Sequence, residues 1–138
     1  MTRHVLLDTN VIVDWLLKRA YFVENAKKIF RLIDTGAFVG CISSSAITDV
    51  YYLIETKTPP GYAWEMMEYI YQTLRILPVI RETIRDALDS KMSDFEDAVQ
   101  AAAAKHCGID IVVTRDKAGF HNSGLQVYSP EEFLATTE

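Results

Sequence analysis

Residues 4–14 of the chain read HVLLDTNVIVD, and this stretch decides the fold. It begins with an apolar run at residues 5–7, which is typical of a strand covered on both faces in a parallel sheet flanked by helices. From Val11 onward the apolar residues return at helical spacing. Asp8 lies between the two patterns, at the carboxyl end of the predicted strand. Since open α/β sheets place their ligand crevices there, Asp8 is predicted either to line a site or to cap the following helix.

The composition predicts a compact protein with a substantial core. The chain has 138 residues, of which 49% are hydrophobic, and we predict a single domain over residues 1–138. No apolar run reaches the length of a membrane span, and residues 1–4 do not open a signal peptide, so a cytoplasmic location without membrane contact is expected. Cys41 and Cys107 lack metal-site spacing and are expected to remain free thiols.

The net charge of −5 bears on the possible partners. An acidic chain is not expected to coat nucleic acid through bulk charge. An enzyme that acts on nucleic acid remains compatible with this charge, because bound divalent cations reverse the local field of an acidic pocket.

The rest of the chain alternates further apolar runs with helical patterns. Strands are predicted at residues 38–42, 75–79, 109–113 and 125–128. Residues 93–96, with the sequence SDFE, are predicted to form a capping box in which Ser93 caps a helix and Glu96 returns to the serine N–H. A second capping box with proline at the first helical position, residues 129–132, should open a terminal helix.

Five aspartates follow strands or begin helices, and we predict that they converge at one edge of the sheet: Asp8, Asp49, Asp94, Asp97 and Asp116. Clustered carboxylates repel one another unless cations share the site, and hard oxygen ligands suit Mg²⁺ or Mn²⁺. Such ions lower the pKa of a bound water and neutralise a phosphate under in-line attack. The alternative, carboxylates scattered at helix starts, explains each residue singly but not their joint placement.

Three blocks of the sequence resemble those of PIN-domain proteins, a family that includes the VapC toxins of bacterial toxin–antitoxin pairs. They are VLLDTNVI at residues 5–12, DFEDA at 94–98 and VTRDKAGF at 113–120, and the likeness spans nearly the whole chain. The resemblance implies a three-layer α/β/α sandwich with a mainly parallel central sheet, and an Mg²⁺- or Mn²⁺-dependent endoribonuclease. Together with the methionine and aromatic stripe at residues 62–74, it also implies a homodimer and a small antitoxin partner.

The resemblance also assigns roles to individual residues. The metal-binding acids and their supporting polar groups would be Asp8, Asp97, Asp116, Asn10 and Thr114. Asp49 stands where the family usually has glutamate, is shorter by one methylene, and is interpreted as a further catalytic residue. Asp94 is an additional candidate metal ligand, for which stabilisation of the helix N-terminus is an equal alternative.

The alternatives to a PIN-domain ribonuclease are another class of α/β domain and an inactive PIN-like module. A receiver domain or an aspartate-nucleophile phosphatase also places acids at strand ends. The receiver requires an acidic doublet after its first strand and the phosphatase an Asp-x-Asp motif, and Asp8-Thr9-Asn10 provides neither. The second alternative is a PIN-like module that has lost its activity and only binds partners. The departure at Asp49 favours that alternative, and the presence of the other acids opposes it.

Overall fold

The computed structural model describes residues 2–137, which form a central sheet with helices packed on both faces. The strands are β1 (His4–Leu7), β2 (Val39–Ser43), β3 (Arg75–Leu77), β4 (Ile111–Val113) and β5 (Gln126–Tyr128). The α-helices are α1 (Thr9–Leu16), α2 (Val23–Asp34), α3 (Ile47–Glu55), α4 (Tyr62–Thr73), α5 (Arg81–Asp89), α6 (Phe95–His106) and α7 (Pro130–Ala135). Two short 3-10 turns, Ser44–Ala46 and Lys117–Phe120, follow β2 and β4.

The five strands lie in the order β3-β2-β1-β4-β5, and every neighbouring pair is parallel. This confirms the predicted sandwich with a mainly parallel sheet. The chain first adds β2 and β3 on one side of β1 and then crosses to place β4 on the other side. The carboxyl ends of β1 and β4 therefore lie at the point where the direction of winding reverses, which is where open α/β sheets form a crevice.

Strand β1 is buried on both faces, as its apolar run predicts. Val5 and Leu7 belong to the core beneath α1 to α4 and α7, whereas Leu6 belongs to the core on the opposite face. The second core is built against the alanine run of α6, where small side chains let the helix approach the sheet closely. Because strand residues alternate between two helical layers, the strand is apolar and buried from Val5 to Leu7, and only His4 at its start is polar.

Three strands are shorter than the sequence predicted: β3 and β4 by two residues each, and β5, which begins at Gln126, by one. Strand β3 ends at Leu77 rather than at residue 79, because Pro78 has no N–H to donate to the ladder. Strand β4 begins at Ile111 rather than at residue 109, because the N–H of Ile109 donates to the Ala104 carbonyl at the end of α6.

The predicted capping box at residues 93–96 is wrong in its details. Asp94, not Ser93, is the N-cap of α6, and its Oδ1 accepts a hydrogen bond of 2.9 Å from the Asp97 N–H. Serine and aspartate cap helices about equally well, so adjacent candidates are not separable by residue type alone. Because the helix begins one residue later than predicted, Glu96 does not form the capping box, and it lines a hollow together with Asp8 and Asp97.

Other predictions about the chain are confirmed. Ser129 caps α7 in a reciprocal capping box, with Pro130 at the first helical position. Cys41 and Cys107 are both free thiols. Within residues 2–137, no helix combines the length and the apolar character needed to cross a bilayer.

Candidate active site

Asp8 lies at the carboxyl end of β1, buried between the two strands that meet at the crevice. Only 7% of the residue is exposed, and its N–H donates to the Val113 carbonyl of β4 at 3.0 Å. Asp116 follows β4 by three residues and lies at the same edge of the sheet. The structure thus places these two acids side by side, as the repeated pattern of strand then aspartate predicts.

Four donors fix the Asp8 carboxylate in one orientation: the N–H of Thr9 at 2.8 Å, Gln100 Nε2 at 3.3 Å, Asn10 Nδ2 at 3.3 Å and Thr114 Oγ1 at 2.8 Å. The Thr9 bond makes Asp8 the N-cap of α1, so both predicted roles, cap and site residue, describe the same side chain. Burial raises the pKa of Asp8, and the hydrogen bonds from Thr114, Thr9 and Gln100 oppose that rise.

Thr114 and Asn10 connect Asp8 to the loop that carries Asp116. Besides donating to Asp8, Thr114 Oγ1 accepts a hydrogen bond of 2.9 Å from the Asp116 N–H. Asn10 Oδ1 accepts one of 3.2 Å from the Arg115 N–H. Asn10 and Thr114 therefore link Asp8 to the loop of Asp116 through hydrogen bonds. The family resemblance likewise places these two residues near the acids.

Asp97 lies in the first turn of α6 and is the most perturbed acid of the site. Its pKa is raised to about 7, first by burial and then by the negative charges of Asp8, Asp94, Asp116 and Glu96. A carboxylate surrounded in this way is ionised only in part at neutral pH. Besides burial, every group that raises this pKa is acidic, so the site concentrates negative charge.

Gly119 lies directly against the carboxylates of Asp97 and Asp116. A Cβ atom on Gly119 would clash with Asp97 Oδ2 and would lie 2.8 Å from Asp116 Oδ2, so any larger residue would displace the carboxylates. Gly119 is not among the glycines with positive φ, and space rather than backbone conformation is what requires glycine here. The Asp97 and Asp116 Oδ2 atoms therefore lie within a few ångströms of each other.

Asp49 is placed differently from the other predicted acids. It is exposed in the first turn of α3, and its charge is the largest cause of the raised pKa of Glu96. Its charge is not among those that raise the pKa of Asp97. Asp49 therefore interacts most strongly with Glu96, whose charge also raises the pKa of Asp97.

Sequence reasoning missed Glu96 and Gln100 as site residues. Both line a hollow of about 560 Å³ together with Asp8, Asp49 and Asp97. The spacing of Glu96 and Gln100, one helical turn apart on α6, could have indicated that they share a face. A larger hollow of about 790 Å³, between α2 and α7, contains none of these acids.

The donor set fits a hydrated divalent cation rather than a closed cage. Among residues 2–137, no three His, Cys, Asp or Glu side chains are positioned together to hold an ion. Mg²⁺ in proteins commonly keeps several water ligands and binds only one or two carboxylates. The pair formed by Asp97 and Asp116 beside Gly119 suits this coordination. Gln100 Oε1 adds a buried oxygen that accepts no hydrogen bond, although the Nε2 of the same side chain binds Asp8. Asp94 lies exposed at the rim, with one oxygen used as the helix cap.

Comparisons with known proteins agree with this architecture. A family model described as PIN domain matches residues 4–118. Ribonuclease VapC1 from Aquifex aeolicus (strain VF5) is 28% identical over 134 residues, which cover 94% of this chain and 92% of that protein. The structure of VapBC2 from Rickettsia felis, bound to a DNA fragment from their promoter, has a TM-score of 0.72 at 13% identity and covers 91% of this chain and 98% of that one. A toxin-antitoxin complex from Klebsiella pneumoniae has a TM-score of 0.68 at 18% identity, with coverage of 91% and 97%.

Proposed function

Because the chain belongs to the PIN-domain family, we propose that it is an endoribonuclease that hydrolyses RNA phosphodiester bonds with Mg²⁺ or Mn²⁺. The observation that carries this proposal is the meeting of Asp8, Asp97 and Asp116 at the carboxyl edge of β1 and β4, where burial and then the charges of neighbouring acids raise the pKa of Asp97 to about 7. A similar protein of nearly equal length is named a ribonuclease. An acidic crevice of this kind suits a substrate that brings phosphate to bound cations.

Asp97 and Asp116 would hold the cation beside Gly119, with Asp8 adjacent to them. The bound cation would supply a water of lowered pKa and offset the charge of the phosphate. Asp8 is held in place by Thr114 and would keep the negative field directed into the crevice.

Asp49 and Glu96 line the same hollow and would orient the attacking water or hold a second ion. Asp94 would contribute charge from the rim. The side chain of Asp49 is one methylene shorter than the glutamate usual in the family. An indirect role suits this shorter side chain, because the neighbouring Glu96 supplies a second carboxylate.

The direct test is cleavage of structured and unstructured RNAs by the purified protein. We expect cleavage in Mg²⁺ or Mn²⁺ that stops when EDTA is added, with DNA of the same sequence as the control for substrate class. Cleavage that persists in EDTA would contradict the metal-dependent mechanism. Stable binding of RNA without cleavage in either metal would instead favour the inactive binding module.

The protein is further proposed to be the toxin of a pair, with a small antitoxin protein as partner. The basis is its likeness in fold to a toxin-antitoxin complex and to VapBC2. An exposed aromatic face on α4 offers a surface for protein contact, because Trp64 and Tyr71, two turns apart on the helix, are 73% and 71% exposed.

The same aromatic face is proposed to join two copies of the chain. Light scattering of the isolated protein at high micromolar concentration should therefore give twice the chain mass of 15.7 kDa. Trp64→Glu should shift the protein to the monomer, because a charge would be buried in the contact, whereas Glu65→Gln on the same helix should leave the dimer intact. A monomer at high concentration in the unmodified protein would refute the homodimer.

A further inference from the structure

A second, smaller hollow of about 280 Å³ opens directly beside the acidic crevice. Its lining shares three residues with the crevice: Asp49, Glu96 and Gln100. The remaining wall comes from the 3-10 turn that precedes α3, from the loop between β3 and α5, from α5 and from the first turns of α6. The two hollows therefore adjoin along the side chains of Asp49, Glu96 and Gln100.

The outer wall of the hollow is apolar. Val79, Ile84 and Val99 line it, together with the ring of Phe95. Phe95 is 54% exposed and stands between two acidic residues at the start of α6, so core packing does not explain it. An exposed aromatic ring at the mouth of an apolar hollow is a stacking surface for a flat, uncharged group.

The shared residues restrict what that group can be. The carboxylates of Asp49 and Glu96 accept hydrogen bonds, and where no cation is bound to them they favour a hydrogen-bond donor over an anion. Of the parts of an RNA strand, a base is flat, uncharged and able to donate N–H groups to carboxylates. Bases in single-stranded segments are splayed out and stack on aromatic side chains.

We propose that this hollow is a base subsite, in which the nucleobase next to the scissile phosphate stacks on Phe95. The inference rests on the proposed ribonuclease function, because it takes the phosphate to lie in the neighbouring crevice. Phe95 is then a residue that selects single-stranded RNA by holding one base out of the strand. It would lower KM more than it raises kcat if stacking is equal in the substrate and in the transition state.

The test compares single-stranded oligoribonucleotides that carry either a normal base or an abasic residue next to the cleaved bond. In the unmodified protein, the base should improve kcat/KM roughly 5- to 150-fold, the range expected of one base–aromatic stack. Phe95→Ala should abolish this advantage, while Phe95→Tyr should retain it because the ring remains. Alanine at this exposed first-turn position of a helix is not expected to impair folding.

Leu88→Ala is the matched control, since Leu88 is 57% exposed on α5 and lies outside the hollow. Binding of dye-labelled forms of the same oligonucleotides, measured by anisotropy in Ca²⁺, supplies a readout that does not depend on cleavage. Binding that requires both the base and Phe95, in a protein that cleaves nothing, would support the subsite and refute the ribonuclease. Cleavage with no effect of Phe95→Ala would overturn the subsite alone, as expected if the hollow instead receives a side chain of a protein partner. No binding of any oligonucleotide would overturn both.

Discussion

Replacing Asp97 with asparagine should lower the turnover of RNA by at least about 100-fold while the protein remains folded. Asparagine keeps the shape of the side chain but removes the negative charge that lies among Asp8, Asp94 and Asp116. Charge stabilisation by a bound cation contributes several kcal/mol to such reactions, and each 1.36 kcal/mol corresponds to a factor of ten in rate. Asp116→Asn should have an effect of similar size, because its Oδ2 shares the space beside Gly119.

The control for this prediction is Asp110→Asn. Asp110 is exposed and precedes β4, so the same change of charge is made at the opposite end of the strand from the site. Single-turnover cleavage and melting temperature should be measured on both variants. Asp110→Asn is expected to match the unmodified protein in both. An Asp97→Asn variant that keeps a tenth or more of the normal rate would exclude Asp97 from the reaction.

The two positions that build the crevice could be predicted because their signals are local. Each consists of an apolar run followed at once by a polar residue, and a parallel sheet brings all such strand ends to one edge. Asp8 and Asp116 were placed correctly on that basis, although 108 positions separate them in the printed sequence. Their supporting residues, Asn10 and Thr114, were assigned by the family resemblance, and in the structure both donate side-chain hydrogen bonds to Asp8.

The positions of the other residues of the site depend on tertiary packing, which no local sequence pattern predicts. The Gln100 side chain reaches Asp8 only because α6 crosses over the end of β1, and its position in an alanine-rich helix gives no sign of this. Gly119 resembles an ordinary turn glycine until the two carboxylates next to it are located. Asp49 was grouped with the other acids by its place near a helix start, and it lines the same hollow as Asp8 and Asp97, but its close relation to Glu96 was not predicted.

Without divalent cations, the free energy of unfolding should fall as the pH rises from about 4 to about 7, and Asp97→Asn should reduce that fall. The pKa of Asp97 is raised from 3.8 to about 7 in the folded protein, so the unfolded chain releases its proton first. The stabilisation is fully present below the unfolded pKa and is lost as the pH passes through the folded value. After allowance for solvent screening, the loss should be about 1–2 kcal/mol, or roughly 3–8 °C in melting temperature.

Mg²⁺ should reverse this loss, because it binds the ionised form and stabilises the folded state by mass action. At pH 8, Asp97→Asn should therefore melt higher than the unmodified protein in EDTA but gain less from added Mg²⁺. Melting curves from pH 4 to pH 8, with and without the cation, measure both effects, and Asp110→Asn should reproduce the unmodified profile. These melting temperatures distinguish a metal-binding carboxylate from a structural one. Replacing a metal-binding carboxylate raises the melting temperature in EDTA and reduces the gain from Mg²⁺. Replacing a structural carboxylate would lower the melting temperature and leave the response to Mg²⁺ unchanged. If the response to Mg²⁺ were the same with and without the Asp97 carboxylate, Asp97 would not be a ligand.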